Sequence, residues 1–208
     1  RGVKKADRIV LPTKGNLKAL LQQAKQLDRE NRYRIQFYPL FLLATATGFR
    51  IGEILDIDRE RDIDLEHCRI TIRSQCTLEG HDQPLKTSSS YRTIYVQEEI
   101  LQTVLSLVET SSKTTKLWHY KGTPLALSSV NNRLYQYFKG NPLVPEGFTF
   151  HSFRHYHATQ LLLKGINVKE VSKRLGHADI QTTLQLYAHW LPEMDKAASS
   201  VIDSSYIC

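Results

Sequence analysis

Eight side chains in four short stretches carry chemistry that packing alone does not call for. TGFRIGE (47–53) sets Arg50 three residues before Glu53, on one face of a helix; alone, that is a surface ion pair. HSFRHYHAT (151–159) sets His151 and Arg154 at i and i+3, and His151 and His155 at the spacing of two zinc ligands. No glutamate stands where a metalloprotease helix carries its base, and Arg154 between the histidines would repel a cation. LGHADIQTTLQLYAHW (175–190) puts His177 directly after a glycine and Tyr187 ten residues further on. A corner histidine is ordinarily just solvated, and a helical tyrosine ordinarily anchors its helix. Lys86 lies in PLKTSSSYRTI (84–94), where a lysine ordinarily serves solubility or blunts a strand edge.

Together these residues meet the needs of phosphodiester transesterification without magnesium. Two guanidinium groups clamp the non-bridging oxygens and hold the charge that develops in the transition state. A histidine takes a phenol's proton near neutral pH. A lysine protonates the leaving alkoxide, and a tyrosine attacks and stores the phosphoryl group as an ester.

The elements that must position them are mostly helical. TKGNLKALLQQAKQLD predicts a helix capped by Thr13, with Leu17, Leu20, Leu21 and Ala24 on one face. A largely apolar helix follows at about 34–47, with Pro39 in its first turns and Gly48 at its end, and RIGEILDI (50–57) starts a short third one. The period then changes. CRITIRSQ (68–75) and RTIYV (92–96) alternate like strands around a polar, turn-rich connection, which predicts a small antiparallel sheet over 68–96. Helical patterns return at 97–110, at 128–139 with Ser128 as cap, at 151–164 closed by Gly165, at 167–175 capped by Asn167, and at 179–189 and 193–203. The fold class is mainly α with a small inserted antiparallel β-sheet.

The 28 Lys and Arg against 21 Asp and Glu, a formal charge of +7, favour a polyanionic partner, nucleic acid first. Three cysteines without metal-ligand spacing argue against a disulfide framework and for a reducing compartment. The longest apolar run, PLFLLATA (39–46), is too short to span a bilayer, and the start lacks a signal-peptide pattern. With no GxGxxG or GxxxxGK[ST], neither ATP nor a dinucleotide is called for, and the expectation is no cofactor and no metal.

The order Arg50, Lys86, His151-x-x-Arg154, His177, Tyr187 resembles the catalytic set of the tyrosine recombinases, which include phage and transposon integrases, Cre and the Xer recombinases. The resemblance runs through TGFRIGEI, LKTSSSYRTI and FHSFRHYHATQLLLKGINVKEVSKRLGHADIQTTLQLYAH, from about residue 13 to about 200. Its texture is most similar to integrases of Gram-positive phages and of conjugative or transposable elements. It implies that Arg50 and Arg154 bind the scissile phosphate with a further hydrogen bond from His177. It also implies that Lys86 is the general acid for the 5′-oxygen, His151 the proton acceptor for the tyrosine, and Glu53 an acidic residue that orients the site. Tyr187 would form a 3′-phosphotyrosyl bond, later reversed by another strand's 5′-hydroxyl.

The implied partners are double-stranded DNA at specific recombination sites and accessory DNA-bending or excision factors. The implied assembly is a homotetramer on synapsed DNA and a monomer without it, in the bacterial cytoplasm with the nucleoid. Residues 1–12 would be the linker from a missing N-terminal core-binding domain, and 13–208 the catalytic domain with a C-terminal tail from about 193. Three readings compete: a type IB topoisomerase-like relaxing enzyme, a DNA-binding module of the same fold without the chemistry, and a zinc hydrolase built on His151 and His155.

Overall fold

The computed structural model describes residues 11–30, 34–85, 90–181, 183 and 184. The Thr13 hydroxyl accepts a hydrogen bond from the Asn16 N–H at 3.1 Å and caps α1 (Lys14–Arg29), whose Leu17, Leu20 and Ala24 are buried. Asp28, near the end of that helix, reaches the start of the next. Its carboxylate accepts from the Phe37 and Tyr38 N–H groups at 2.8 and 2.7 Å, satisfying two free donors at the start of α2 (Phe37–Thr47). Pro39 sits in the first turn of α2, where its missing N–H costs no hydrogen bond. Gly48 ends the helix in the left-handed region at φ +68°, and α3 (Ile51–Leu55) follows at once.

The strands are short. β1 (Ile63–Asp64), β2 (Arg69–Ile72) and β5 (Arg92–Tyr95) form an antiparallel sheet in the order β1-β2-β5, with Ile70 opposite Ile94. β3 (Ser74–Cys76) and β4 (Asp82–Pro84) form a separate hairpin. The run at 68–75, expected as one strand, therefore breaks at Arg73, whose Nε turns to Asp62 Oδ1 at 3.2 Å. After α4 (Glu98–Leu107) comes a small hairpin of β6 (His119–Tyr120) and β7 (Thr123–Pro124) that alternation does not announce. Then come α5 (Leu127–Phe138), α6 (His151–Leu163) and α7 (Val168–Leu175). α5 starts before the expected Ser128 cap. The Ser128 N–H instead donates to the Leu78 carbonyl of the β3–β4 hairpin at 3.3 Å, a partner fifty residues away. Residues 181, 183 and 184 are helical, and the rest of the expected helices at 179–189 and 193–203 lies outside the described residues.

α2 is apolar around its whole circumference and sits in the middle, packed on α1, α4 and α6. Phe37, Leu40, Phe41 and Leu43 are fully buried, each contributing about 1.5–3 kcal/mol by leaving water. The Phe41 ring stacks on Phe153 of α6 at 4.9 Å between centroids and on Phe138 of α5 at 5.6 Å. The Phe41–Phe153 contact holds the start of α6 against the middle of α2, whose end leads to Gly48 and Arg50. Among the described residues, no helix is long and apolar enough to cross a membrane.

Candidate active site

Arg50 is the N-cap of α3, and Glu53 reaches back to it. The Arg50 N–H donates to Glu53 Oε2 at 2.8 Å, and Arg50 Nη1 donates to Glu53 Oε1 at 2.8 Å. The pair is not the exposed one that spacing suggests: the Glu53 side chain is 1% exposed and that of Arg50 37%. The burial has a cause outside the motif. Arg92, at the start of β5, presents Nη2 to Glu53 Oε2 at 2.8 Å and Nη1 to Oε1 at 3.1 Å, and its side chain is 6% exposed. Its Nε donates to the Arg174 carbonyl at 2.9 Å, and Nη1 also donates to the Ser90 carbonyl. Burial alone would raise the Glu53 pKa. The hydrogen bonds and charge of Arg92, with those of Arg50, outweigh it and hold the carboxyl below its ordinary value.

Arg154 lies one turn into α6 and is 2% exposed. Its Nη1 donates to the Gly48 carbonyl at 2.8 Å and its Nη2 to the Leu175 carbonyl at 2.7 Å, tying the end of α2 to the end of α7. Its Nε is buried and has no hydrogen-bond partner among the described residues. Burial, and then the charge of Arg50, push its pKa down to about 9, so it remains a cation at neutral pH. Gly48 must be glycine on two counts: its φ is +68°, and a Cβ there would stand 2.7 Å from Leu175 and 2.8 Å from His157.

The histidines of α6 divide. His151 lies at the pocket mouth with its own surface accessible while protein crowds its other sides. That crowding, ahead of the charges of His155, Arg154 and Arg50, lowers its pKa to about 4. The His155 ring meets it edge-on at 4.6 Å between centroids. His157 is structural: Nδ1 lies 2.9 Å from the Thr45 carbonyl and Nε2 3.2 Å from Arg174 Nε. An arginine can only donate, so Nε2 accepts and the proton sits on Nδ1. Burial and Arg174 keep that ring neutral, with a pKa of about 4.

α7 ends by the left-handed route that its glycine predicts. The N–H of Gly176 donates to Lys173 at 3.0 Å and that of His177 to Ser172 at 3.1 Å, so His177 is held by backbone bonds on both sides of its turn. It is half-buried rather than the solvated corner expected, with Nδ1 2.8 Å from Thr183 Oγ1, which leaves Nε2 for a second partner. Burial, then Arg154, Arg50 and His151, lower its pKa to about 3.

Arg50, Glu53, His151, Arg154 and His177 thus converge, with two guanidinium groups, those of Arg50 and Arg92, sharing the Glu53 carboxylate and the charge of Arg154 close by. Beside them an open cavity of about 590 Å³ runs from Arg50 and His151 along the β3–β4 hairpin. The arrangement is deficient in negative charge and has donors to spare, which suits an oxyanion. Lys86 and Tyr187 lie outside the described residues, as does the tail from 193. Among the described residues, no third metal-ligating side chain joins His151 and His155.

A model of the phage integrase family matches residues 13–194. The chain belongs to that family. The ICEBs1 integrase of Bacillus subtilis (strain 168) is 27% identical over 185 residues, covering 82% of this chain and 49% of the relative. Transposase A of transposon Tn554 from Staphylococcus aureus is 31% identical over 165 residues, covering 72% of this chain and 42% of the relative. The chain therefore spans about half the length of these family members or less. The Tn1549 transposon integrase, solved in complex with a circular intermediate DNA, superposes with a TM-score of 0.74 at 22% identity, over 95% of this chain and 67% of that one. This likeness shows the tyrosine recombinase catalytic fold that the family resemblance implied.

Sequence reasoning missed Arg92, Arg174 and His157. For Arg92 a signal existed: strand alternation puts it on the same face as Ile94, and an arginine on a buried strand face must have an acid to meet.

Proposed function

We propose that this chain is the catalytic part of a site-specific DNA recombinase of the integrase type. It cleaves and rejoins DNA through a 3′-phosphotyrosyl intermediate, without metal or ATP. The observation that carries the reading is the charge-deficient pocket: Arg50 and Arg154 beside His151 and His177, with the buried Nε of Arg154 unpartnered among the described residues. Arg50 and Arg154 hold the non-bridging oxygens of the scissile phosphate, and His177 donates from Nε2. At neutral pH both His151 and His177 are uncharged, so His177 donates as a neutral imidazole and His151 is free to take a proton. The incoming phosphate's negative charge then makes His151 a stronger base than it is in the empty pocket. Glu53 orients Arg50. Tyr187 is the nucleophile and Lys86 the general acid for the 5′-oxygen.

Residues 13–208 form the catalytic domain, with a C-terminal tail from about 193, and residues 1–12 form the linker from a core-binding domain. The family match over 13–194 supports the division. The partners are double-stranded DNA at specific sites, a homotetramer of the protein on synapsed DNA, and accessory DNA-bending or excision factors. The cellular setting is the bacterial nucleoid.

A nicked suicide substrate tests the reading. The protein is expected to form a covalent adduct that Tyr187→Phe abolishes while DNA binding persists. An adduct that survives this change would remove Tyr187 from its role, and no adduct from the unmodified chain would leave only a DNA-binding module.

A further inference from the structure

Outside the phosphate pocket, one half-buried cation has an arrangement that packing does not require. Lys116 Nζ donates to the Asp56 carbonyl at 3.1 Å, to Asp56 Oδ1 at 2.6 Å and to Asp82 Oδ2 at 2.8 Å. All three ammonium protons are therefore engaged, and the side chain is 15% exposed. The main chain beneath it is fixed as well, with Lys116 bridged to Asp58 and the Leu117 N–H donating to the Ile57 carbonyl at 2.8 Å.

The two acids, which also meet each other, belong to different parts of the site. Asp56 is the C-cap of α3, the five-residue helix that opens with Arg50 and carries Glu53. Asp82 opens β4, the outer strand of the β3–β4 hairpin. β3 rests on α3, where a Cβ on Gly52 would stand 3.2 Å from the Cys76 carbonyl. Among the described residues β4 pairs only with β3, and its three residues are exposed. A side-chain tie from it to the body of the protein runs through Asp82, which meets both Lys116 and Asp56. β4 ends at Pro84, two residues before Lys86.

We infer that Lys116 is a positioning residue for the proton donor: it clamps the hairpin strand that delivers Lys86 to the helix that delivers Arg50. The inference rests on the reading of Lys86 as general acid. As Tyr187 Oη gives its proton to His151 and bonds phosphorus, the P–O5′ bond breaks and the Lys86 ammonium gives its proton to O5′, becoming a neutral amine. A strand held at Asp82 brings that ammonium to O5′ in register, and a strand released there does not. Misplacement by about 1 Å is enough to cost on the order of 100-fold in rate.

The test measures single-turnover adduct formation by the whole chain at saturating nicked DNA. One substrate has an ordinary scissile phosphodiester, and the other has sulfur in place of the 5′-bridging oxygen. A thiolate departs without a proton, so the second substrate bypasses the general acid. Lys116→Met is expected to slow cleavage of the oxygen substrate about 10- to 100-fold and to cleave the sulfur substrate at the unmodified rate. Asp82→Ala changes an exposed residue, so folding is not at issue, and the same selective loss is expected in smaller measure. Equal slowing on both substrates, or no slowing on either, in both variants overturns the inference. Lys86→Ala is the control. If sulfur does not rescue it, the general-acid reading itself fails, and that failure is told apart because it appears in a variant whose Lys116–Asp82 contact is intact.

Discussion

Replacing Arg92 by methionine isolates the electrostatic frame of the site. The substitution removes both bonds to Glu53, at 2.8 and 3.1 Å, and the bond to the Arg174 carbonyl. Glu53, 1% exposed, is left facing Arg50, a half-exposed group. Breaking a buried ion pair from one side costs about 3–5 kcal/mol, because a charge stays behind without its partner. Against a total stability of about 5–15 kcal/mol for a domain, that is a large fraction. Glu53→Gln in the same chain removes the stranded charge, so the double variant should be more stable than the two single losses predict by about 1–3 kcal/mol. The pH dependence has a sign. In the unmodified protein the Glu53 pKa is lowered, so its contribution is present above the unfolded value and is lost as pH falls through the folded one. Without Arg92, burial dominates and the pKa rises. The stability gap between the two proteins should therefore narrow as pH falls from 7 toward 4. Urea unfolding of the four proteins of the cycle across this range measures both quantities. Additive losses, together with a gap that does not change with pH, would refute this account of Arg92.

Arg154→Lys should slow adduct formation by about 100-fold or more, because a point charge replaces neither the planar fork nor both of its ties to Gly48 and Leu175; near-normal single-turnover rates would contradict this. In NMR titrations, His177 and His151 of the free protein should stay neutral down to about pH 3 and 4 respectively, and both should titrate at higher pH when DNA is bound. Ordinary histidine titration without DNA would speak against a pocket waiting for an anion. Since these folded pKa values lie below the unfolded histidine value, stability should decline as pH falls below about 6.5. Gly176→Ala should cost about 2 kcal/mol in urea unfolding, because φ is +69° and the added Cβ would meet Arg92 Nη1 at 2.8 Å; a loss under about 0.5 kcal/mol would show the turn relaxing freely.

What was legible from residue order is what local chemistry decides. Thr13, Gly48, Gly165, Asn167 and Gly176 bound their helices where caps and left-handed glycines predict, since each works within a few residues of itself. The pocket residues on α3 and α6 were legible for the same reason, as helical spacing places Arg50 with Glu53 and puts His151 and Arg154 in one turn. What could not be read is decided at long range. Ser128 has the chemistry of a cap, yet its N–H is taken by Leu78 from a separate hairpin. Arg92 depends on an acid thirty-nine positions earlier and on a carbonyl eighty-two positions later. Glu53 looked like half of a surface pair because its second partner is invisible to spacing.

Arg154 joins two segments of the protein itself, through the carbonyls of Gly48 and Leu175. This constrains how such a protein decays. A lineage released from the proposed chemistry would still need Arg154, whose loss would open the seam between α2 and α7. Inactive descendants of this fold should therefore keep that arginine long after the chemistry is gone. Its presence in a distant sequence testifies to an intact scaffold rather than to a working enzyme.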